Sequence, residues 1–254
     1  MTFATYPSLS GRVVFVTGGA SGIGADIVRA FAANGAKVAF VDILAEAGCQ
    51  LVAELAAARH KPLFIACDIV DIAALQAAID AARKQFGPIA VLVNNAANDD
   101  RRAIDDVTVE YWDALQAVNL RPHFFAAQAV RPQMRELGHG SIINFSSISW
   151  RYGADAMSVY ATAKSAVLGL TRALARAFGA DNIRVNAIEP GAVITERQRQ
   201  LWYRTPESVE AIVSRQVIKK VLLGEEIART VLFLAADDSR MITKQSIIVD
   251  AGLS

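Results

Sequence analysis

RVVFVTGGASGIGADIVRAF, residues 12–31, decides the fold. Arg12 to Thr17 is almost continuously apolar and of strand length, as for a strand covered on both faces. A glycine turn follows, Gly18-Gly19-Ala20-Ser21-Gly22-Ile23-Gly24. Helical spacing then begins, with Ile27, Val28 and Phe31 on one face and Asp26, Arg29 and Asn34 on the other. A strand, a glycine turn and a helix N-terminus make an anion site: glycines let the backbone approach a pyrophosphate, and the helix dipole favours its charge. The spacing here is G-x-x-x-G-x-G rather than the commoner G-x-G-x-x-G.

The same alternation continues outward. Lys37–Asp42, Leu63–Cys67, Ile89–Asn94, Ser141–Ser147, Ile183–Ile188 and Ser246–Val249 read as further strands, separated by amphipathic stretches such as Leu75, Ala78, Ile79 and Ala82. Seven strands in a β-α-β-α order predict one α/β domain over 1–254, a Rossmann-type doubly wound parallel sheet. Residues 191–220 break the rhythm: polar, aromatic and charged, with Thr205-Pro206-Glu207 as a helix start, they are expected to form a substrate lid after the sixth strand.

Composition excludes other classes. Of 254 residues, 53% are hydrophobic and 20% charged, and 26 basic residues against 25 acidic leave a net charge of +1, which argues against disorder and against a nucleic-acid binder driven by bulk charge. No run approaches the roughly 18 apolar residues of a membrane span. Residues 1–10 have no basic start and no apolar core, so no secretory signal is expected. Two cysteines, Cys49 and Cys67, point to a reducing, cytoplasmic setting, and His60, His123 and His139 lack ligand spacing, so no metal is expected.

Asp42 ends the second strand, where a carboxylate can accept from the adenosine ribose hydroxyls and repel a 2′-phosphate. Neither its neighbours nor Ser21 is basic, which favours NAD over NADP. Tyr160 and Lys164 are four residues apart, on one face of a helix. An ammonium near a phenol favours phenolate, so Tyr160 can act as a general base toward an alcohol, with Ser147 at a strand end bonding the same oxygen.

These segments together resemble the short-chain dehydrogenase/reductase family along nearly the whole chain. The glycine turn matches Thr17–Gly24, Asn94-Asn95-Ala96-Ala97 matches the family's Asn-Asn-Ala-Gly with Ala for the last Gly, and Pro190-Gly191 matches the turn after the sixth strand. The resemblance selects Ser147 over Ser146, thirteen residues before the tyrosine. It implies that Asn119 holds a water linking Lys164 to solvent, that Lys164 also contacts the nicotinamide ribose, and that Thr195 binds the carboxamide. It implies further cofactor contacts at Ile23, Asp68, Ile69, Asn95, Ala96 and Val193, and a homotetramer; the Ala-rich faces in Val107–Met134 and the Lys164 helix are candidate surfaces between subunits or for burial within the monomer. Asp250-Ala251-Gly252 resembles the family's Asp-Gly-Gly, again with one Ala.

Asn98-Asp99-Asp100-Arg101, Phe145 to Trp150, Glu196-Arg197-Gln198, Trp202-Tyr203 and Tyr6-Pro7-Ser8-Leu9 resemble the aldose 1-dehydrogenase branch. A sugar pocket needs many hydrogen-bonding groups and an aromatic face, which Asn98, Ser149, Glu189, Gln198 and Trp202 could supply beside Ser147 and Tyr160. Asp99 and Arg101 read as a surface or subunit pair rather than as ligands. The expected reaction is NAD-dependent oxidation of an aldopyranose at C1 to its lactone. The alternatives are reduction of a 3-oxoacyl or other small keto compound, and a non-catalytic NAD-binding protein.

Overall fold

β1 (Val13–Thr17) is buried at every position, and the sheet grows outward from it on both sides. The computed structural model describes residues 3–153 and 155–254. β2 (Lys37–Asp42) and β3 (Leu63–Ala66) add on one side; β4 (Val91–Asn94), β5 (Gly140–Phe145), β6 (Ile183–Pro190) and β7 (Ser246–Val249) add on the other. The order is β3-β2-β1-β4-β5-β6-β7, with every pairing parallel. Sheet order therefore reverses between β1 and β4, whose last residues, Thr17 and Asn94, are register partners. A crevice opens at such a switch point, beyond the carboxyl ends of the strands.

Side chains alternate between two cores. Val14, Val16, Val38 and Phe40 pack with α1 (Gly22–Ala33) and α9 (Gly224–Ala235), while Val13, Phe15, Ala39 and Leu92 pack with α3 (Ile72–Phe86) and α5 (Arg121–Leu137). Both faces being covered explains why β1 reads as a continuous apolar run. No helix among the described residues is long and apolar enough to cross a membrane.

Two strand ends differ from the expectation, and a third local feature is a division between two helices. The 107–134 stretch is broken: α4 (Val109–Asn119) ends before Leu120, and α5 restarts with Pro122 in its first turn. Pro122 has no N–H to donate, which a helix tolerates in its first turn, so it suits the restart of α5, whereas Pro132 lies inside that helix. β5 stops at Phe145 because Ser147 caps the short turn Ile148–Trp150, accepting from Ser149 N at 3.2 Å. β6 runs on to Pro190 because Glu189 and Pro190 still pair with Ile248 and Val249 of β7. The 191–220 segment folds as α7 (Glu196–Leu201) and α8 (Pro206–Arg215), the latter begun by a Thr205/Ser208 capping box. α6 (Ser158–Phe178) carries Tyr160 and Lys164.

Candidate active site

The glycine turn is locked to the end of β4. Asn95 Nδ2 donates to the carbonyls of Thr17 and Gly18 at 3.1 and 2.9 Å, while Thr17 Oγ1 accepts from the backbone N–H groups of Asn95 and Ala96. The backbones are packed too closely for side chains: a Cβ on Gly18 would lie 2.7 Å from Ala96 Cα, and one on Gly24 would lie 1.8 Å from the Gly18 carbonyl oxygen. The turn thus presents bare backbone at the start of α1, where the helix's unpaired N–H groups favour an anion. Ala97 takes no left-handed conformation, so the departure from Gly there is free of strain, whereas Ala251 sits at φ 57°, where glycine is preferred.

Asp42 lies beyond the turn, its two oxygens fixed by the N–H groups of Ala20 (3.0 Å) and Leu44 (3.1 Å). One cavity of about 780 Å³ runs from here to Gln198 and Tyr203. Gly18, Ser21, Gly22, Ile23, Gly24, Asp42, Asp68, Ile69, Asn95, Ala96, Tyr160, Lys164, Pro190, Gly191, Val193 and Thr195 all line it. A glycine cradle that a Cβ would fill, with a carboxylate beyond it, fits a nicotinamide dinucleotide. Ile43 and Leu44, large exposed apolar residues after Asp42, also line this end; their sequence signal, two apolar residues after a strand-end acid, was available but not distinctive.

At the middle of the cavity Lys164 Nζ donates to the Phe145 carbonyl at 2.9 Å and lies 5.6 Å from the centroid of the Tyr160 ring. Ser147 lines the same cavity as the phenol, while the Ser146 hydroxyl donates to the Lys164 carbonyl at 2.6 Å. Burial, and next the Asp99 carboxylate, push the Tyr160 phenol up; Ser147, Arg197 and Arg101 work the other way. Burial brings Lys164 down to about 7, with Asp99 opposing. The protein's own groups therefore favour the protonated phenol, and burial weakens the help expected from the neighbouring ammonium by disfavouring its charge. Asn119 is fully buried and its carboxamide is occupied: Nδ2 donates to the Asn98 and Leu115 carbonyls, and Oδ1 accepts from Asn98 N–H.

Behind Lys164 lies His123, 1% exposed, with neither ring nitrogen hydrogen-bonded to the protein. Burial first, and the Lys164 charge second, hold it down at about 3. An unfolded histidine titrates near 6.5, so between about 6.5 and 3 the unfolded chain binds a proton the folded chain refuses, and stability falls as pH falls through that window. From pH 7 to about pH 4.5 the loss from this residue is roughly 3 kcal/mol. Urea unfolding of wild type and His123→Met at both pH values should show the smaller pH loss in the variant; equal losses would contradict this assignment.

At the far end of the cavity Asn98, Ser147, Ser149 and Gln198 line the wall, but two expected substrate residues do not. Glu189 is fully buried and its oxygens are consumed: Arg151 donates at 2.8 and 2.9 Å, Trp150 Nε1 at 2.8 Å, and Ser246 also bonds it. Burial opposes its charge, but these bonds win and hold the carboxyl below its ordinary range. It ties β6 to β7 and to the turn after Ser147 instead of meeting a ligand. Trp202 does not line the cavity, and the Arg101 guanidinium covers one face of its ring, 3.9 Å from the centroid; Tyr152 and Tyr203 line the cavity in its place. Asp99 and Arg101 also differ from expectation. Both line the cavity, and Asp99 bonds Gln198 and Arg197 rather than Arg101.

Residues 18–254 match a family model described as Enoyl-(Acyl carrier protein) reductase. The chain is 49% identical over 249 residues to the "Probable galactose dehydrogenase GalD" of Rhizobium meliloti, covering 98% of this chain and 97% of that one. It is 46% identical over 252 residues to the D-xylose 1-dehydrogenase of Caulobacter vibrioides, covering 99% of each. A crystal structure of a "putative short-chain alcohol dehydrogenase" from Sinorhizobium meliloti 1021 superimposes with a TM-score of 0.92 at 32% identity, covering 98% of both chains.

Proposed function

We propose that this chain, which belongs to the short-chain dehydrogenase/reductase family, oxidises an aldopyranose at C1 to the aldonolactone with NAD. The observation that carries the proposal is the shared cavity: Tyr160, Ser147 and Lys164 open into the space bounded by the glycine turn and Asp42, and that space ends in hydrogen-bonding side chains. The galactose and D-xylose dehydrogenases among its relatives support the same substrate class.

In this reading Gly18 and Ser21 to Gly24 hold the pyrophosphate, Asp42 the adenosine ribose hydroxyls, and Asp68 and Ile69 the adenine edge. Asn95 and Ala96 back the turn; Pro190, Gly191, Val193 and Thr195 border the nicotinamide, and Lys164 and Tyr160 its ribose. When bound, NAD accepts the hydride from C1 and brings positive charge into the cavity. Tyr160, held protonated by burial, gives up its proton only against such charge, and as phenolate it removes the C1 hydroxyl proton. Ser147 bonds the same oxygen and orients it. Lys164 then relays the proton taken up by Tyr160 outward to solvent reached past Asn119, so that one proton leaves for each alcohol oxidised. Asp42 faces no basic neighbour in Ser21, Ile43 or Leu44, so a 2′-phosphate would meet uncompensated repulsion there. Exposed Val109, Trp112 and Phe124 on α4 and α5 suit the homotetramer, and the free cysteines suit a cytoplasmic protein.

A polar far wall disfavours the keto-reductase alternative, which calls for an apolar one. Cofactor reduction measured over D-xylose, L-arabinose, D-galactose, L-fucose and L-rhamnose tests the proposal. At least one aldose should be oxidised, with kcat/KM for NAD about 100-fold above that for NADP, the size of a ~3 kcal/mol repulsion. Turnover of steroid, thioester or hydroxy-acid substrates without any aldose, or a preference for NADP, would overturn it.

A further inference from the structure

The loop between β4 and α4 is pinned on both sides of Asp99. Asn119 binds the Asn98 backbone in both directions, at 3.0 and 2.9 Å, and the Tyr111 hydroxyl donates to the Asp100 carbonyl at 3.1 Å. Between these anchors the Asp99 side chain is 15% exposed and lines the cavity. Its Oδ2 accepts from Gln198 Nε2 at 2.7 Å, and its Oδ1 lies 3.3 Å from an Arg197 guanidinium nitrogen. Both partners sit on α7, and Arg197 also donates to Asn98 Oδ1 at 3.3 Å. Asp99 is thus fixed in position and faces the same space as the phenol.

A carboxylate is a poor neighbour for this base. Its charge pushes Tyr160 up, the wrong direction for proton removal, and Arg197 and Arg101 only partly offset it. A neutral side chain could hold α7 without that penalty. What only a carboxylate offers is acceptor capacity: it carries about four lone-pair sites and no hydrogen to donate. Gln198 and Arg197 occupy two of them.

We propose that Asp99 is a specificity-determining residue whose carboxylate accepts hydrogen bonds from the substrate's hydroxyls, so that the cavity selects a polyhydroxylated ring over ligands lacking a donor at that place. The proposal rests on the aldose reading above. A site built to accept from a hydroxyl penalises the analogue that lacks it, because the buried acceptor is then left unpaired.

Asp99→Asn keeps the shape and removes the charge. With the best aldose of the panel, kcat/KM should fall about 10- to 100-fold, mostly through KM, as for loss of a charge-assisted bond. The dissociation constant for NAD should be unchanged. In a series of monodeoxy sugars, wild type should penalise at least one analogue about tenfold or more, and the variant should reduce that penalty to under about threefold. The acid limb of kcat/KM against pH should also move down, because Asp99 raises both Tyr160 and Lys164 while Arg101 and Arg197 remain. Arg197→Ala, which removes one of the two protein partners of Asp99 but leaves the carboxylate itself, should keep the deoxy penalty. An unchanged penalty in Asp99→Asn, or its loss in Arg197→Ala, would overturn the inference. Failure of wild type to oxidise any aldose would instead remove the reading beneath it.

Discussion

Tyr160→Phe should lower kcat about a thousandfold or more while leaving NAD affinity within about threefold, because a positioned general base is worth roughly 10²- to 10⁴-fold. The substitution removes one oxygen from a ring that is itself 9% exposed and packed with Leu115 and Val159. The ring stays, so the cavity wall keeps its shape. What disappears is the phenolic oxygen, the group placed to carry a proton away from a substrate oxygen in the cavity it shares with Ser147 and Lys164. Steady-state kinetics with fluorescence titration of NAD would separate the two effects. Turnover near wild type would mean that another group takes the proton.

Gly24→Ala should abolish cofactor binding, weakening it about 100-fold or more, and should also destabilise the fold by roughly 1–3 kcal/mol. The new Cβ would fall 1.8 Å from the Gly18 carbonyl oxygen and 2.8 Å from Asn95 Nδ2, the atom that donates to that carbonyl. Backbone is what it meets, so relief requires moving the turn, and the turn is the proposed pyrophosphate cradle. Gly169→Ala is the matched control: it lies in α6 with nothing within 4 Å of its added Cβ, and should stabilise by up to about 1 kcal/mol through helix propensity. Titration of both variants with NAD, alongside thermal unfolding, tests the contrast. A Gly24→Ala protein with wild-type affinity would show that the turn does not hold the dinucleotide.

The sheet and the cofactor end were legible because their signals are local. The strand, turn and helix around Gly18–Gly24 lie within one short segment, and Tyr160 and Lys164 need only helical spacing to share a face. Pro122 suits a helix start after Leu120, but Pro132 stands inside α5, so the prolines alone did not show where the helix divides. The far wall was harder, because its residues are claimed by partners distant in the chain. Glu189 is taken by Arg151, 38 residues away, and by Ser246, 57 away, so nothing near it in sequence reveals that its oxygens are spent. Trp202 has one face covered by Arg101, and Asp99, which looked like half of a surface pair with that same arginine, turns inward to Gln198. Burial raises Tyr160 and lowers Lys164, and no local pattern reports burial; this is why the chain alone favours the protonated phenol when spacing suggested the opposite.

The most direct test of the central claim, abstraction of the hydroxyl proton and transfer of the C1 hydrogen of an aldopyranose, is turnover of D-xylose or D-galactose deuterated at C1. The deuterium should pass to the reduced nicotinamide, with one lactone formed for each NAD reduced. Reduced cofactor free of deuterium, or a product still carrying it at C1, would contradict the account.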